Sequence, residues 1–129
     1  MEPGTGYPTI AHIAHGAQDQ VRFVRWDGLS WDAVTVGDSS KPSLAYDPMT
    51  GAACIGYAYK YGQTWFARRV WRQDTYAYIW ERETVDMLGS GDTSTSQLCL
   101  KFGPDGCPSL SYCYSDYGDL KFARRSEWP

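Results

Sequence analysis

The sequence predicts an all-β fold made of successive antiparallel sheets, and three observations carry that expectation. The first is a recurring hairpin pattern. Gly6, Ile10, His12, Phe23 and Arg25 line up with Gly51, Ile55, Tyr57, Phe66 and Arg68, and these with Gly106, Leu110, Tyr112, Phe122 and Arg124. The leading glycines lie 45 residues (51 − 6) and 55 residues (106 − 51) apart, a spacing that belongs to stacked or radial arrays of one supersecondary unit. The second is an aromatic share of 16%, with 10 Tyr and 6 Trp against 21% charged residues, which suits pleated, half-buried surfaces. The third is that no stretch shows helical periodicity.

The elements follow in order. Met1 to Thr5 are turn-formers; residues 7–14 read as a strand and 20–26 as its partner, joined by a loop at 15–19. Trp26-Asp27-Gly28-Leu29-Ser30-Trp31 is a tight connection into a third strand at 32–36, followed by a polar loop at 37–41. Residues 43–46 form a strand with no counterpart before it, and Asp47-Pro48-Met49-Thr50-Gly51 turns the chain into strands at 54–59 and 63–69. A longer loop at 70–78 leads to a strand at 80–85, and 87–94 is loop again. Cys99 to Phe102 matches Ser43 to Tyr46, Gly103-Pro104-Asp105-Gly106 is its turn, and two hairpin strands follow. With the strands of one unit lettered a to d, the chain reads b-c-d, a-b-c-d, a-b-c. It is one domain over 1–129, in units of about 1–40, 41–94 and 95–129, the first and last incomplete.

The b strands predict how the sheets pack. Their alternate positions are small (Cys54, Gly56, Ala58; Ser109, Ser111, Cys113) and large (Ile55, Tyr57; Leu110, Tyr112). A bulky face of one sheet nested on the slim face of the next reaches native packing density. Both faces of each b strand are therefore expected to be buried.

Several segments resemble a known family. Ser43-Leu44-Ala45-Tyr46-Asp47-Pro48, Pro108-Ser109-Leu110-Ser111-Tyr112, Gly118 to Arg124 (GDLKFAR) and Trp26 to Trp31 are similar to the four-stranded blades of sialidase-like, Asp-box-type β-propellers, with Asp27, Gly28 and Trp31 at the turn between third and fourth strands. The resemblance implies a β-propeller of four-stranded antiparallel blades, about three per chain. Propellers typically hold about 4–8 blades, so a homodimer closing a six-bladed ring is the expected assembly. The strict Asp-box order is absent. No residue matches the arginine triad, Tyr/Glu nucleophile pair or acid/base Asp of sialidase catalysis.

Candidate binding residues follow from position. Arg25, Arg68 and Arg124 recur at one place; they either grip a carboxylate or phosphate or pair with an Asp or Glu nearby. Tyr57, Tyr59, Tyr61, Tyr112, Tyr114 and Tyr117 crowd the b–c hairpins beside Trp65 and Asp116, the setting a sugar requires. Those in strands read as packing residues, which leaves Tyr61, Asp116 and Tyr117 as ligand candidates. Trp71 and Tyr76, in the loop at 70–78, have no equivalents and read as a contact site. Trp31, Trp80 and Trp128 read as turn packing. His12 and His15, three apart, face opposite sides of a strand and do not form a metal pair. Asp74, Glu81, Glu83 and Asp86 read as solvated.

Net charge of −3 and a pI near 5.2 supply no basic field for nucleic acid or anionic lipid. No apolar run of about 18 residues predicts a membrane span, and no signal peptide is visible. The four cysteines, Cys54, Cys99, Cys107 and Cys113, lack zinc-site spacing and occupy slots of small residues, so they read as reduced thiols. That favours a cytoplasmic location, with a secreted chain carrying one disulfide as the alternative. No cofactor motif and no catalytic set is present. The expected function is a non-catalytic binding or assembly module, with a glycan as the ligand class. The alternative is a fragment or relative of a sialidase-like glycoside hydrolase.

Overall fold

A computed structural model describes residues 1–38, 40–59, 62–87, 95–114 and 119–126. They form ten strands and no α-helix, so none of them offers a helix able to cross a membrane. β1 (Thr9–Ala14), β2 (Gln20–Trp26) and β3 (Trp31–Gly37) form the first sheet. β4 (Ser40–Tyr46), β5 (Ala53–Tyr59), β6 (Gln63–Arg72) and β7 (Ala77–Met87) form the second. β8 (Thr95–Phe102), β9 (Pro108–Tyr114) and β10 (Asp119–Arg124) form the third. Each sheet is an antiparallel meander, and among the described residues no strand pairing links one sheet to another.

Local chemistry sets the turns. The Asp27 carboxylate accepts the amides of Leu29 and Ser30, each at 2.8 Å, and those bonds hold its pKa below the usual aspartate range. Asp47 is fully buried; its Oδ1 accepts the Met49 amide at 2.8 Å while its carbonyl accepts the amide of Gly51, which needs φ of +75°. Asp105 accepts the Cys107 amide at 3.1 Å before β9. Irregularities also recur. Register shifts fall at Val21/Arg22 and at Thr64/Trp65, and again at Ser40/Ser43 and Ser96/Cys99, where Lys41 and Gln97 take positive φ.

Two cores join the sheets face to face. Ala53, Ile55, Tyr57 and Ala67 of the second sheet pack on Val21, Phe23 and Val36 of the first. Leu100, Leu110 and Tyr112 of the third pack on Cys54 and Phe66 of the second. The large b-strand residues of one sheet thus meet the slim face of the sheet before it. A Cβ on Gly56 would overlap the Leu110 side chain and lie 3.0 Å from that of Leu98. Cys54 and Cys107 are buried, and all four cysteines are free thiols. Burial pushes the Cys54 thiol up to about 12, so it stays protonated as a small apolar group.

Three expectations need correction. Of the three b strands only β5 is buried on both faces, because only the second sheet has a sheet on each side; Ile10 and His12 on β1 face outward. Residues 70–78 are not a loop: β6 and β7 run on as a hairpin with Val70 opposite Ile79, Trp71 opposite Tyr78 and Arg72 opposite Ala77. Branched and aromatic cross-strand pairs, with no Gly or Pro among them, sustain the ladder. Asp86 is not simply solvated, since it accepts the Tyr112 hydroxyl at 2.7 Å and the Lys121 ammonium at 3.3 Å, tying the second sheet to the third. Glu83 likewise pairs with Arg125.

Thr64 exposes a testable weakness. It is fully buried, its hydroxyl has no partner among the described atoms, and Val21 fills the corresponding place in the first sheet. Thr64→Val keeps the shape and removes an unsatisfied polar atom, so it is expected to stabilise the fold by about 1 kcal/mol. A urea titration that placed the variant's midpoint below wild type would contradict this.

Candidate functional site

The first and second sheets leave a cleft of about 560 Å³ where β2 and β6 end and the Asp47–Gly51 turn begins β5. Its floor comes from Thr50 to Ala53, and its charged lining from Glu2, Arg25, Arg68 and Arg69. Trp71 and Tyr78 form one wall; they meet edge to face with centroids 5.0 Å apart and stay half-exposed, at 50% and 54%. The strand extension of β6 and β7 sets this wall, because it places the two rings directly opposite each other.

Residues 1–7 close the far side. Glu2 and Tyr7 share a backbone hydrogen bond at 2.8 Å, Gly4 and Gly6 supply the positive φ values, and Pro3 lies over Gly51. This folded loop brings the Glu2 carboxylate onto Arg25, whose Nε and Nη2 donate at 2.9 and 2.8 Å, and the Thr5 hydroxyl adds a third bond at 2.7 Å. Arg69 stands 3.9 Å from the same carboxylate and lies over the Tyr78 ring at 3.7 Å and the Phe23 ring at 5.6 Å. The Arg25 bonds hold Glu2 below the usual glutamate range and raise Arg25 in turn, while burial lowers Arg69. Three guanidinium groups against one carboxylate leave the lining with a formal charge of +2 (3 − 1).

The sign of the Glu2 shift fixes a pH dependence. A carboxylate depressed in the folded state stabilises it above the unfolded pKa and loses that contribution as pH falls through the folded value. Glu2→Gln is therefore expected to cost about 1–3 kcal/mol at pH 7. The gap between variant and wild type should close below about pH 4, under the free glutamate value of about 4.3. Equal gaps at pH 7 and pH 3 in chemical unfolding would contradict it.

The expected site residues separate in space. Arg68 and Trp71 line this cleft, whereas Tyr76 sits exposed in the β6–β7 turn with φ of +50° and does not reach it. Arg124 pairs with Asp105 and lines a smaller cleft of about 240 Å³ between the second and third sheets. The recurring arginines therefore form no common ring: Arg25 and Arg124 each take an acidic partner from their own sheet or the segments joined to it. Tyr61, Asp116 and Tyr117 lie outside the described residues. Glu2, Arg69 and Tyr78 were not legible as site residues. Glu2 stands in a run of turn-formers, Arg69 adjoins the recurring Arg68, and Tyr78 falls in a segment that reads as loop.

A second cleft of about 500 Å³ opens at the other end of the same sheet pair, lined by Tyr57, Tyr59, Trp65, Trp80, Asp38 and Arg82. Its rings are committed to one another: Trp65 lies parallel to Tyr57 at 6.5 Å and edge-on to Tyr59 at 6.3 Å, and its indole donates to Gln63 at 2.9 Å. No cluster of three or more metal-ligating side chains occurs among the described residues. Comparison of the chain with protein-family models, with curated proteins and with solved structures finds no match.

Proposed function

We propose that the chain is a non-catalytic module of sialidase-like β-propeller architecture that binds an acidic saccharide in the Arg25–Arg69–Trp71 cleft. The observation that carries this is Glu2: a carboxylate already sits on Arg25 with two-point geometry, and Arg69 lies beside it. A uronate or sialate carboxylate has the same chemistry. Its ring would lie against the half-exposed Trp71, with Tyr78 held edge to face beside it, which supplies the apolar platform that sugar C–H groups need. Three features support a blade-type architecture: sheets of three or four antiparallel strands, face-to-face packing, and Asp-anchored turns.

Binding without turnover fits the lining. Glu2 is the only carboxylate among the cleft's described residues, and its arginine bonds keep it ionised, so no acid/base pair is assembled there. Calorimetric titration with sialyllactose and with digalacturonate, against neutral lactose, tests the reading. Saturable binding of an acidic sugar, weakened about tenfold or more by Trp71→Ala and by Arg69→Ala, is expected. Equal binding of lactose would overturn the carboxylate role. Release of free sialic acid would replace the module with a hydrolase.

A further inference from the structure

Corresponding positions in the three sheets show which faces are covered. Phe23, Phe66 and Phe122 stand opposite Ala11, Gly56 and Ser111 in their registers. The next sheet buries Phe23 and Phe66, whereas Phe122 is 68% exposed and Leu120, two residues before it, 76%. The opposite flank shows the converse. Ile55 and Leu110, opposite Ala67 and Ala123, are buried against the preceding sheet, but Ile10, opposite Val24, is 49% exposed. Trp80 packs edge-on to Phe23 at 5.2 Å; its counterpart Trp31, beside Arg25 and Asp32 as Trp80 is beside Arg68 and Glu81, is 51% exposed.

One molecule thus carries both halves of the contact that it uses twice internally. The first sheet offers a bulky face on which none of the other described sheets packs, and the third offers the slim face and phenylalanine that such a face covers. We propose that a second copy of this chain completes the contact head to tail. The third sheet of one copy docks on the first sheet of the other, with Phe122 and Leu120 on Ile10 and Trp31 as Phe23 and Val21 pack with Ile55 and Trp80. The occupant follows from continuity: Phe122 and Ile10 stand where Phe23 and Phe66, and Ile55 and Leu110, make the two interfaces already present, with Leu120 in the place of Val21 and Thr64 and His12 in that of Tyr57 and Tyr112. Such a contact is heterologous, so each copy donates one face and receives on the other, and two copies close a ring when the rotation allows. Leaving both apolar faces in water is disfavoured.

Light scattering on the intact chain tests this, with Phe122→Asp and Ile10→Asp as variants. Both residues are exposed in the single chain, so each variant is expected to keep its secondary structure by circular dichroism. Wild type should show a mass of about twice 14.5 kDa, or a concentration-dependent ladder of multiples, and each variant alone should be monomeric. Mixing the variants should restore association, because Phe122→Asp keeps an intact first-sheet face and Ile10→Asp an intact third-sheet face. A wild type monomeric at every concentration, an oligomer that survives Phe122→Asp, or a mixture that stays monomeric would each overturn the head-to-tail seam.

Discussion

Phe23→Ala is expected to cost about 3–5 kcal/mol of unfolding free energy, read as a lower urea midpoint at unchanged slope. Phe23 is buried in the core between the first and second sheets. Its ring meets Trp80 edge to face at 5.2 Å and lies under the Arg69 guanidinium at 5.6 Å. Truncation therefore removes apolar burial, an aromatic pair and a cation–π contact at once, and leaves a cavity that two stiff sheets cannot close. Phe122→Ala supplies the internal control. The same residue type at the same register is mostly exposed there, so the single chain should lose less than about 1 kcal/mol. Similar losses at both positions would mean that the two sheet faces are not in the states described.

Gly56→Val is expected to cost about 1–3 kcal/mol, even though valine is the better strand former. Gly56 pairs within β5 and has no positive φ, so backbone strain plays no part. The obstacle is the third sheet: an added Cβ meets Leu110 and Leu98, and Leu110 is itself enclosed with Cys54, Phe66 and Tyr112. Leu110→Ala in the Gly56→Val background should recover part of the loss, giving a coupling that separates overpacking from local propensity. Additive destabilisation would show that the two residues do not press on each other.

Strand order and packing polarity were legible because they rest on short-range signals. Asp27-Gly28, Asp47-Pro48 and Gly103-Pro104 mark turns by chemistry alone, and Gly56 flanked by Ile55 and Tyr57 displays the slim and bulky faces directly. The β6–β7 hairpin was less legible. Val70-Trp71-Arg72 and Ala77-Tyr78-Ile79 pair across a Gln73-Asp74-Thr75-Tyr76 turn that has no Gly, with Tyr76 rather than a glycine at positive φ. The cleft was legible only in fragments. Arg68 and Trp71 announced themselves, one by recurrence and one by singularity, but Glu2 reaches Arg25 across 23 positions of chain, through a loop whose fold depends on both sheets. Long-range ion pairs of this kind leave no periodic trace.

Six tryptophans give six indole N–H signals, assignable by single Trp→Phe substitutions, and their titration with sialyllactose locates the ligand directly. The expected result is a saturable shift of the Trp71 signal, abolished by Arg69→Ala, while the Trp65 signal in the opposite cleft stays fixed. Movement of Trp65 without Trp71, or no movement of any indole at millimolar sugar, would contradict binding in the arginine cleft.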